Sequence, residues 1–306
     1  MGVSGEGGAR RPERPPSRSR RTREQPSRPG ALTILAALLL LVLLAVAAVF
    51  LWRTLGEEVP GASVARDSID SGREPKVSIT NGPGDVRVEG TNGPEAVEYE
   101  VTRYAAAGDP AAARSAASEV PVDVAREEST VTLETDGGGE TGADYVVRMP
   151  AGGGVEVEAE EGDVEVTGLD GNVTVRAASG DVNVRDAAGD VTVRAAAGDV
   201  TVEAEQGDVT VGGMRTDTGN LELVVGSGDV TLEDLIVGTL EANVEAGDVT
   251  LSRRFSGEGR VSVGTGDITA DLPSGDATNL ALETLVGGVS REPSGDGQGE
   301  EQGEGN

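Results

Sequence analysis

Aspartate is the residue type in this sequence whose regular spacing could support chemistry. Six consecutive units of the form Gly-Asp/Asn-Val-x-Val begin at Gly162, and their glycines recur at every ninth position. Further Gly-Asp or Gly-Asn pairs begin at Gly219, Gly228, Gly247 and Gly266. Carboxylate oxygens are preferred ligands of Ca²⁺, so a row of aspartates is a candidate divalent-cation site. The candidate ligands are Asp190, Asp208, Asp229, Asp248 and Asp267.

The composition of each unit argues against a complete cation shell. Ca²⁺ takes six to eight oxygen ligands, and nine-residue calcium β-rolls supply several of them from the denser pattern Gly-Gly-x-Gly-x-Asp. Each unit here offers one Gly and one Asp. Because Asp also hydrogen-bonds nearby backbone in turns, we expect the aspartates to be turn residues, with weak divalent-ion binding as the alternative and no cofactor.

The composition excludes several classes of function. The 306 residues contain no His and no Cys, which removes Ser-His-Asp triads, Cys nucleophiles and the usual zinc ligand sets. Aromatic residues make up 2%, too few for base-stacking platforms or for the sugar-binding face of a glycosidase. The net charge of -29 repels nucleic acid. We therefore expect a protein that is not an enzyme and does not bind nucleic acid.

The repeating unit also predicts the elements that hold the aspartates. Valines that alternate with polar residues favour a strand with one apolar face. The Gly-Asp pair favours a tight turn between strands. A period of nine fits two designs: an antiparallel meander of hairpins, or a flattened coil in which each strand stacks in parallel on the strand two units further along the chain.

The later spacing favours the coil. The steps from Gly228 to Gly247 and on to Gly266 are close to twice nine, and residues 239–244 supply the missing middle strand without its Gly-Asp pair. One turn position keeps its motif while the other loses it, as expected if the two lie on opposite edges. The sequence predicts an all-β, two-sided parallel β-solenoid, a repeat architecture with about 18–19 residues per coil. One predicted edge carries Asn172, Asp190, Asp208, Asp229, Asp248 and Asp267, and the other Asp163, Asp181, Asp199 and Asn220.

The N-terminal segment has the composition of a membrane anchor. Residues 1–29 are predicted to be a disordered basic tail in the cytoplasm, because eight Arg stand against three Glu. Residues 30–52 are predicted to form one transmembrane helix. The uncharged stretch 31–52 would be roughly 33 Å long as a helix, which is enough to cross a bilayer, with residues 53–306 outside the cytoplasm. A cleaved signal peptide ending near residues 45–47 is the alternative.

The remaining boundaries follow from changes in composition. Residues 53–74 are predicted to be a linker, with ordered structure beginning near Lys76, and residues 75–155 a short N-terminal capping module. That module contains one helix, which Asp109-Pro110 starts and residues 111–120 continue. The solenoid repeats are placed at 156–288 and a disordered acidic tail at 289–306. Leucines at 280, 282 and 285 are predicted to form a strand that caps the last coil.

The order of these parts resembles a known family. An early Gly84-Asp85-Val86 strand pair, an Ala-rich helix, a strand ending in Met149-Pro150 and a ladder of Gly-Asp-Val units follow one another. This order is similar to that of the bacterial DUF4097 family of adhesin-like proteins, over roughly residues 75–288. The resemblance implies a β-solenoid on the cell-surface side and a role in the envelope, and it supplies no catalytic residues.

These observations lead to one functional expectation and three alternatives. We expect a single-pass membrane protein of the cell surface that presents a β-solenoid as an adhesin or envelope scaffold, with an envelope component as its partner. The first alternative is an accessory or regulator of an envelope-stress sensing system. The other two are a divalent-cation-binding β-roll and a solenoid carbohydrate-active enzyme.

Overall fold

The computed structural model describes residues 62–293, with gaps at 94, 108–109, 139 and 274–278. The predicted basic tail, the predicted transmembrane helix at 30–52 and the residues from 294 onward lie outside the described residues. Within the described residues, no helix is both long and apolar enough to cross a bilayer. All described residues belong to one compact unit, Glu58–Asn306.

Strands dominate the described part of the chain, which also contains one helix, α1 (Pro110–Glu119). The helix confirms the sequence prediction for residues 111–120, with Pro110 at its first position. The strands are β1 (Ser63–Asp70), β2 (Lys76–Pro83), β3 (Val86–Thr91), β4 (Ala96–Ala105), β5 (Asp123–Glu127), β6 (Thr130–Thr135), β7 (Thr141–Pro150), β8 (Gly154–Glu161), β9 (Val164–Thr167), β10 (Val173–Ser179), β11 (Val182–Ala187), β12 (Val191–Ala195), β13 (Val200–Gln206), β14 (Val209–Gly212), β15 (Asn220–Ser227), β16 (Val230–Ala246), β17 (Val249–Thr265), β18 (Ile268–Leu272), β19 (Leu280–Val286) and β20 (Val289–Pro293).

Strands from β8 onward coil as a parallel β-solenoid of about seven turns. Val173 in β10 pairs with Val191 in β12, and Val182 in β11 pairs with Val200 in β13, so partners are two repeat units apart. This register confirms the coil and rules out the hairpin meander, in which neighbouring units would pair. Face A contains β8, β10, β12, β14, the first part of β16 and β17, β18 and β20; face B contains β9, β11, β13, β15, the second part of β16 and β17, and β19.

Coil length is less uniform than predicted. Val230 pairs with Val249 at the predicted step, whereas Val209 pairs with Val230 and Gly259 with Leu280 at steps that are two positions longer. In the Val209–Val230 step the extra residues lie between β14 and β15, at a corner between the two faces. At the same corner of the next two coils, Leu235 pairs with Phe255 and both side chains are buried.

The N-terminal module is itself built from coils, stacked out of chain order. Strand β2 pairs in parallel with both β6 and β8, and β3 pairs in parallel with both β7 and β9. The β2–β3 coil thus lies between the β6–β7 coil and the β8–β9 coil. The early Gly84-Asp85 pair therefore belongs to a full coil. Antiparallel strands close this end of the stack: β5 lies beside β6, and β4 lies between β7 and β1.

Two predicted boundaries and one predicted role differ from the structure. Strand β1 begins at Ser63, inside the predicted linker; its alternation is weak because it is an outer strand, and Val64 is 51% exposed. Strand β20 occupies Val289–Pro293, at the start of the predicted disordered tail. Strand β19 is the last rung of face B and not a cover, since Leu280 is buried but Leu285 is 88% exposed.

The core is a set of inward-facing columns between the two faces. Val173, Val191 and Val209 form one such column, and all three are buried. Burying one Val side chain contributes roughly 1.5–3 kcal/mol before conformational entropy is subtracted. Ala159, Ala177 and Ala195 form a neighbouring inward column close to the edge.

Candidate functional site

The aspartates predicted as cation ligands form a single hydrogen-bonded column, which we call the first ladder. At each level, the Oδ1 atom of one residue accepts the backbone N–H of the corresponding residue one coil later. The donor and acceptor residues and their N···O distances are Asp190 to Asn172 (3.2 Å), Asp208 to Asp190 (3.1 Å), Asp229 to Asp208 (2.9 Å), Asp248 to Asp229 (2.9 Å), Asp267 to Asp248 (2.8 Å) and Gly288 to Asp267 (2.6 Å).

A second ladder runs along the opposite edge, as the sequence predicted. It begins in the N-terminal module and crosses the out-of-order coils without interruption. The donors and acceptors are Asp85 to Asp144 (3.0 Å), Asp163 to Asp85 (3.0 Å), Asp181 to Asp163 (3.0 Å), Asp199 to Asp181 (2.9 Å) and Asn220 to Asp199 (2.8 Å). It ends where Thr239 donates its hydroxyl to Asn220, at the start of the widened corner.

The glycine before each ladder residue is required by the close approach of successive turns. Gly247 has φ +143°, a backbone conformation that L side chains rarely adopt. A Cβ atom on Gly247 would lie 2.0 Å from the carbonyl oxygen of Gly228 in the coil below. Glycine therefore allows the turns to stack, and the following Asp or Asn satisfies a backbone N–H of the next turn.

This geometry gives the candidate ligands a structural role. Each Oδ1 atom is already occupied by a backbone N–H, and successive ladder residues are one coil apart. Parallel strands lie about 4.8 Å apart, so the carboxylates form a row and not a shell. Within the described residues, no group of three or more acidic side chains is placed to hold a metal ion. Cation binding by the ladder stays a prediction.

Two outward arginines of the repeats pair with acidic neighbours. Arg176 on face A lies 2.7 Å from Glu156 and 3.1 Å from Glu158. Hydrogen bonds from Arg176 and Lys76 hold the pKa of the Glu156 carboxyl below its usual range. Arg185 on face B lies 3.9 Å from Glu165. These pairs offset charge on an acidic surface, and each contributes little to stability.

The two faces carry different outward side chains, a difference that the sequence analysis did not predict. Face A carries one outward column of half-buried threonine side chains in register. Face B, near the capped end, carries alternating charges, with Arg66 2.6 Å from Glu100 and Arg148 3.0 Å from Glu89. The sequence signal for this threonine column is Thr at the middle position of every second Val-x-Val unit. The column consists of Thr174, Thr192, Thr210, Thr231, Thr250 and Thr269.

A polar corner lies where the β2–β3 and β6–β7 coils meet. The Asn81 side chain is 1% exposed and donates Nδ2–H to the carbonyl oxygens of Gly84 (2.9 Å) and Ala143 (3.0 Å). Thr135, its strand partner, is hydrogen-bonded to Tyr145, and burial raises the pKa of the Tyr145 hydroxyl. The next three coils have Ala159, Ala177 and Ala195 at the equivalent inward position. The hydrogen bond from Asn81 to Ala143 joins two coils that are distant in sequence.

An open groove of about 380 Å³ borders this corner on face A. Thr80 and Glu158 line it from β2 and β8, and Arg176 and Arg194 line it from β10 and β12. Charges of both signs therefore face the groove, without an aromatic side chain among its lining residues. The groove has no arrangement of nucleophile, acid and base that would indicate catalysis.

A comparison with known protein families identifies the family of this chain. The family model described as Toastrack DUF4097 matches residues 67–305. The chain belongs to the DUF4097 family. The DUF4097 match begins inside β1, which agrees with the ordered structure starting before residue 75. No match to the chain was found among curated proteins.

Solved structures of adhesin-like proteins show a distant likeness. A "putative adhesin" from Parabacteroides merdae ATCC 43184 has TM-score 0.32 and 15% identity, covering 76% of this chain and 96% of that one. A "putative adhesin" from Bacteroides fragilis NCTC 9343 has TM-score 0.28 and 15% identity, covering 76% and 99%. A "putative cell adhesion protein" from Clostridium sporogenes ATCC 15579 has TM-score 0.25 and 12% identity, covering 76% and 98%. Scores this low carry no inference about function.

Proposed function

We propose that this DUF4097 protein is a single-pass membrane protein that presents its β-solenoid outside the cytoplasm as a non-enzymatic adhesin or envelope scaffold. The observation that carries the proposal is the regular stack of coils, whose two faces display ordered polar side chains over a long distance. The turns from β8 onward, together with the two coils of the N-terminal module, extend roughly 40 Å at a spacing of about 4.8 Å. Repeat proteins of this kind use such extended surfaces for binding.

Two surface carboxyls take part in ion pairs. Hydrogen bonds from arginine hold the pKa of Glu100 and of Glu156 below their usual range. A catalytic general acid needs the opposite shift, toward neutral pH. These two carboxylates therefore behave as members of surface ion pairs.

The sequence before the solenoid supports the anchored topology. The uncharged stretch 31–52 follows an Arg-rich segment, which is the order of a helix inserted with its N-terminus in the cytoplasm. Because the chain has no Cys, single cysteines report topology cleanly. Ser262→Cys on face B of intact cells should react with a membrane-impermeant maleimide, whereas Ser17→Cys should react only after lysis. Labelling of Ser17→Cys in intact cells, or protection of Ser262→Cys, would refute the topology.

Binding can then be tested on the natural envelope. The full chain in detergent should retain specific envelope components on an affinity column, and a matched variant with residues 1–29 removed should retain the same set. Retention of nothing by either protein would refute the scaffold role.

The regulatory alternative is favoured by one specific observation, the eight Arg within residues 1–30. If that segment contacts a cytoplasmic sensor domain, its removal abolishes the effect of the protein on an envelope-stress reporter while leaving envelope binding intact. An unchanged reporter response would exclude this role.

A further inference from the structure

The tetrapeptide Thr-Asn-Gly-Pro occurs twice in the N-terminal module, at residues 80–83 and at residues 91–94. An Asn that is followed by Gly is prone to lose its side-chain amide spontaneously, because glycine has no Cβ atom to hinder an attack by its own backbone nitrogen. The local sequence is the same at the two sites. Their structural environments therefore decide whether either of them reacts.

Asn81 is held in a conformation that opposes this reaction. It lies within β2, its side chain is 1% exposed, and its Nδ2 atom donates to the carbonyl oxygens of Gly84 (2.9 Å) and Ala143 (3.0 Å). The attack requires the Asn backbone to rotate away from the extended conformation of a strand. At Asn81 that rotation would disrupt the pairing of β2 with β6 and β8.

Asn92 lies in a different environment, in the short connection between β3 and β4. Asn92 and Gly93 are both exposed, and within the described residues neither takes part in a hydrogen bond. A Cβ atom on Gly93 would have the Thr91 hydroxyl oxygen as its nearest contact, at 3.4 Å. The middle of this connection therefore has room to rotate into the geometry of the attack.

The two ends of the same connection are fixed. The carbonyl oxygen of Thr91 accepts the N–H of Ala151 at 3.0 Å. The carbonyl oxygen of Glu95 accepts the N–H groups of Ser71 (3.0 Å) and Gly72 (3.1 Å). A change of conformation between Thr91 and Glu95 thus leaves β3 and β4 in place, and a modified residue at position 92 fits without unfolding of the coil.

We propose that Asn92 is a site of spontaneous deamidation in the folded protein and that the fold protects Asn81. The Gly93 backbone nitrogen gives up its proton and forms a bond to Cγ of Asn92. The Cγ–Nδ2 bond breaks, and the side-chain nitrogen takes up a proton and leaves as ammonia, which closes a succinimide ring. Water then opens the ring at either carbonyl carbon and leaves an aspartyl or an isoaspartyl residue at position 92. The reaction needs no enzyme, because the reacting groups are held together in adjacent residues.

The modification changes the surface around the connection. Asn92 lines an open groove of about 420 Å³ together with Arg73, Glu74, Glu95 and Asp170. A carboxylate at position 92 would add a fourth acidic group beside one arginine. An isoaspartyl residue also lengthens the main chain by one carbon atom. Aged molecules therefore differ from new ones in charge and shape at this groove, and this inference does not depend on the proposed adhesin role.

Peptide mapping of the full chain tests the proposal, because trypsin separates the two sites. Cleavage after Lys76, Arg87 and Arg103 gives peptides 77–87 and 88–103, each with one Asn-Gly pair. After incubation of the folded protein at neutral pH, mass spectrometry should find about tenfold or more deamidation in peptide 88–103 than in peptide 77–87. A sample digested without incubation corrects for deamidation during digestion. Equal modification of the two peptides, or an unmodified peptide 88–103, would overturn the proposal.

The same incubation in denaturant shows whether the fold causes the difference. In the unfolded chain the two identical tetrapeptides should react at similar rates, so the excess in peptide 88–103 should disappear. An equal excess in the unfolded chain would refute protection of Asn81 by the fold.

Gly93→Ala tests the ring-closing step itself. Its Cβ atom has room beside Thr91, and a residue before proline favours an extended backbone, which Ala adopts readily. The thermal unfolding of this variant should therefore match that of its parent. Deamidation of Asn92 should fall about tenfold or more, since the Cβ atom hinders the attack. A folded Gly93→Ala variant that deamidates at the parent's rate would contradict the succinimide route.

Discussion

Replacing Asp208 by Asn and by Ala separates the two properties that a ladder aspartate has, its acceptor and its charge. Oδ1 of Asp208 accepts the backbone N–H of Asp229 at 2.9 Å, and the Asp208 N–H is bonded to Asp190. Both substitutions remove the same negative charge. Only Asn keeps the acceptor, as Asn172 already does at the start of the same column.

Losing the negative charge and losing the hydrogen-bond acceptor change the stability of the fold in opposite directions. Neighbouring carboxylates about 4.8 Å apart repel by about 0.9 kcal/mol in water before salt screening, so Asp208→Asn should be neutral or stabilising, most clearly at low salt. Asp208→Ala gives the same relief but loses a hydrogen bond worth about 0.5–1.5 kcal/mol. The Ala variant should therefore unfold about 2–4 °C below the Asn variant in a domain of this size.

Thermal unfolding followed by circular dichroism measures this difference, with Glu222→Gln on face B as a control for loss of one surface charge. If Asp208→Asn and Asp208→Ala unfold at the same temperature, the Asp208 acceptor does not stabilise the fold. That result would contradict the structural role of the ladder. If Ca²⁺ raises the melting temperature of the wild type but not of Asp208→Asn, the ladder is a cation site and the structural explanation is insufficient.

Three further substitutions test the packing, the core and the ion pairs. Gly247→Ala should destabilise by more than about 3 kcal/mol because its Cβ meets the Gly228 carbonyl, while Gly138→Ala, which has open space around it, should change the denaturant midpoint little. Val193→Asp should abolish cooperative unfolding because it buries an unpaired charge, whereas Thr192→Asp on the outward side should be tolerated; equal damage would contradict the inward assignment. Glu156→Gln should lower the melting temperature slightly at neutral pH. Since the pKa of Glu156 is lowered in the folded state, its contribution is present above about pH 4.3 and is lost as the pH falls through the folded pKa. A gap to wild type that does not narrow as the pH is lowered would refute this prediction.

The repeat region was predictable because its valine alternation, its glycine spacing and its Gly-Asp pairs all indicate the same coil. The valine alternation gives the inward columns, and the glycine spacing gives the turns. The uneven loss of Gly-Asp pairs distinguished a coil from a meander on sequence grounds alone. Val173 pairing with Val191, two units further along the chain, confirms that inference. The placement of Asp190 and Asp208 in one column, and of Asp181 and Asp199 in the other, follows from the same spacing.

The parts that were missed depend on contacts distant in sequence. The β6–β7 coil follows the β2–β3 coil in the chain, yet in space the β2–β3 coil lies between it and the β8–β9 coil. The local sequence pattern does not reveal this order. The longer steps, such as Val209 to Val230, have extra residues outside the strands, and the repeat pattern does not specify their number. The hydrogen-bond acceptor role of the aspartates was missed because turn aspartates were expected to bond within their own turn, whereas here each bonds to the next coil.

The stacking of alternate repeat units is tested most directly by disulfide formation in a chain that has no cysteine of its own. Thr174 and Thr192 are strand partners on the outer side of face A, at a separation within the range that disulfides span. Thr174 and Asn183, in neighbouring units, lie on opposite faces. Under mild oxidation, the Thr174→Cys/Thr192→Cys variant should form an intramolecular disulfide and the Thr174→Cys/Asn183→Cys variant should not. The reverse result would contradict the solenoid.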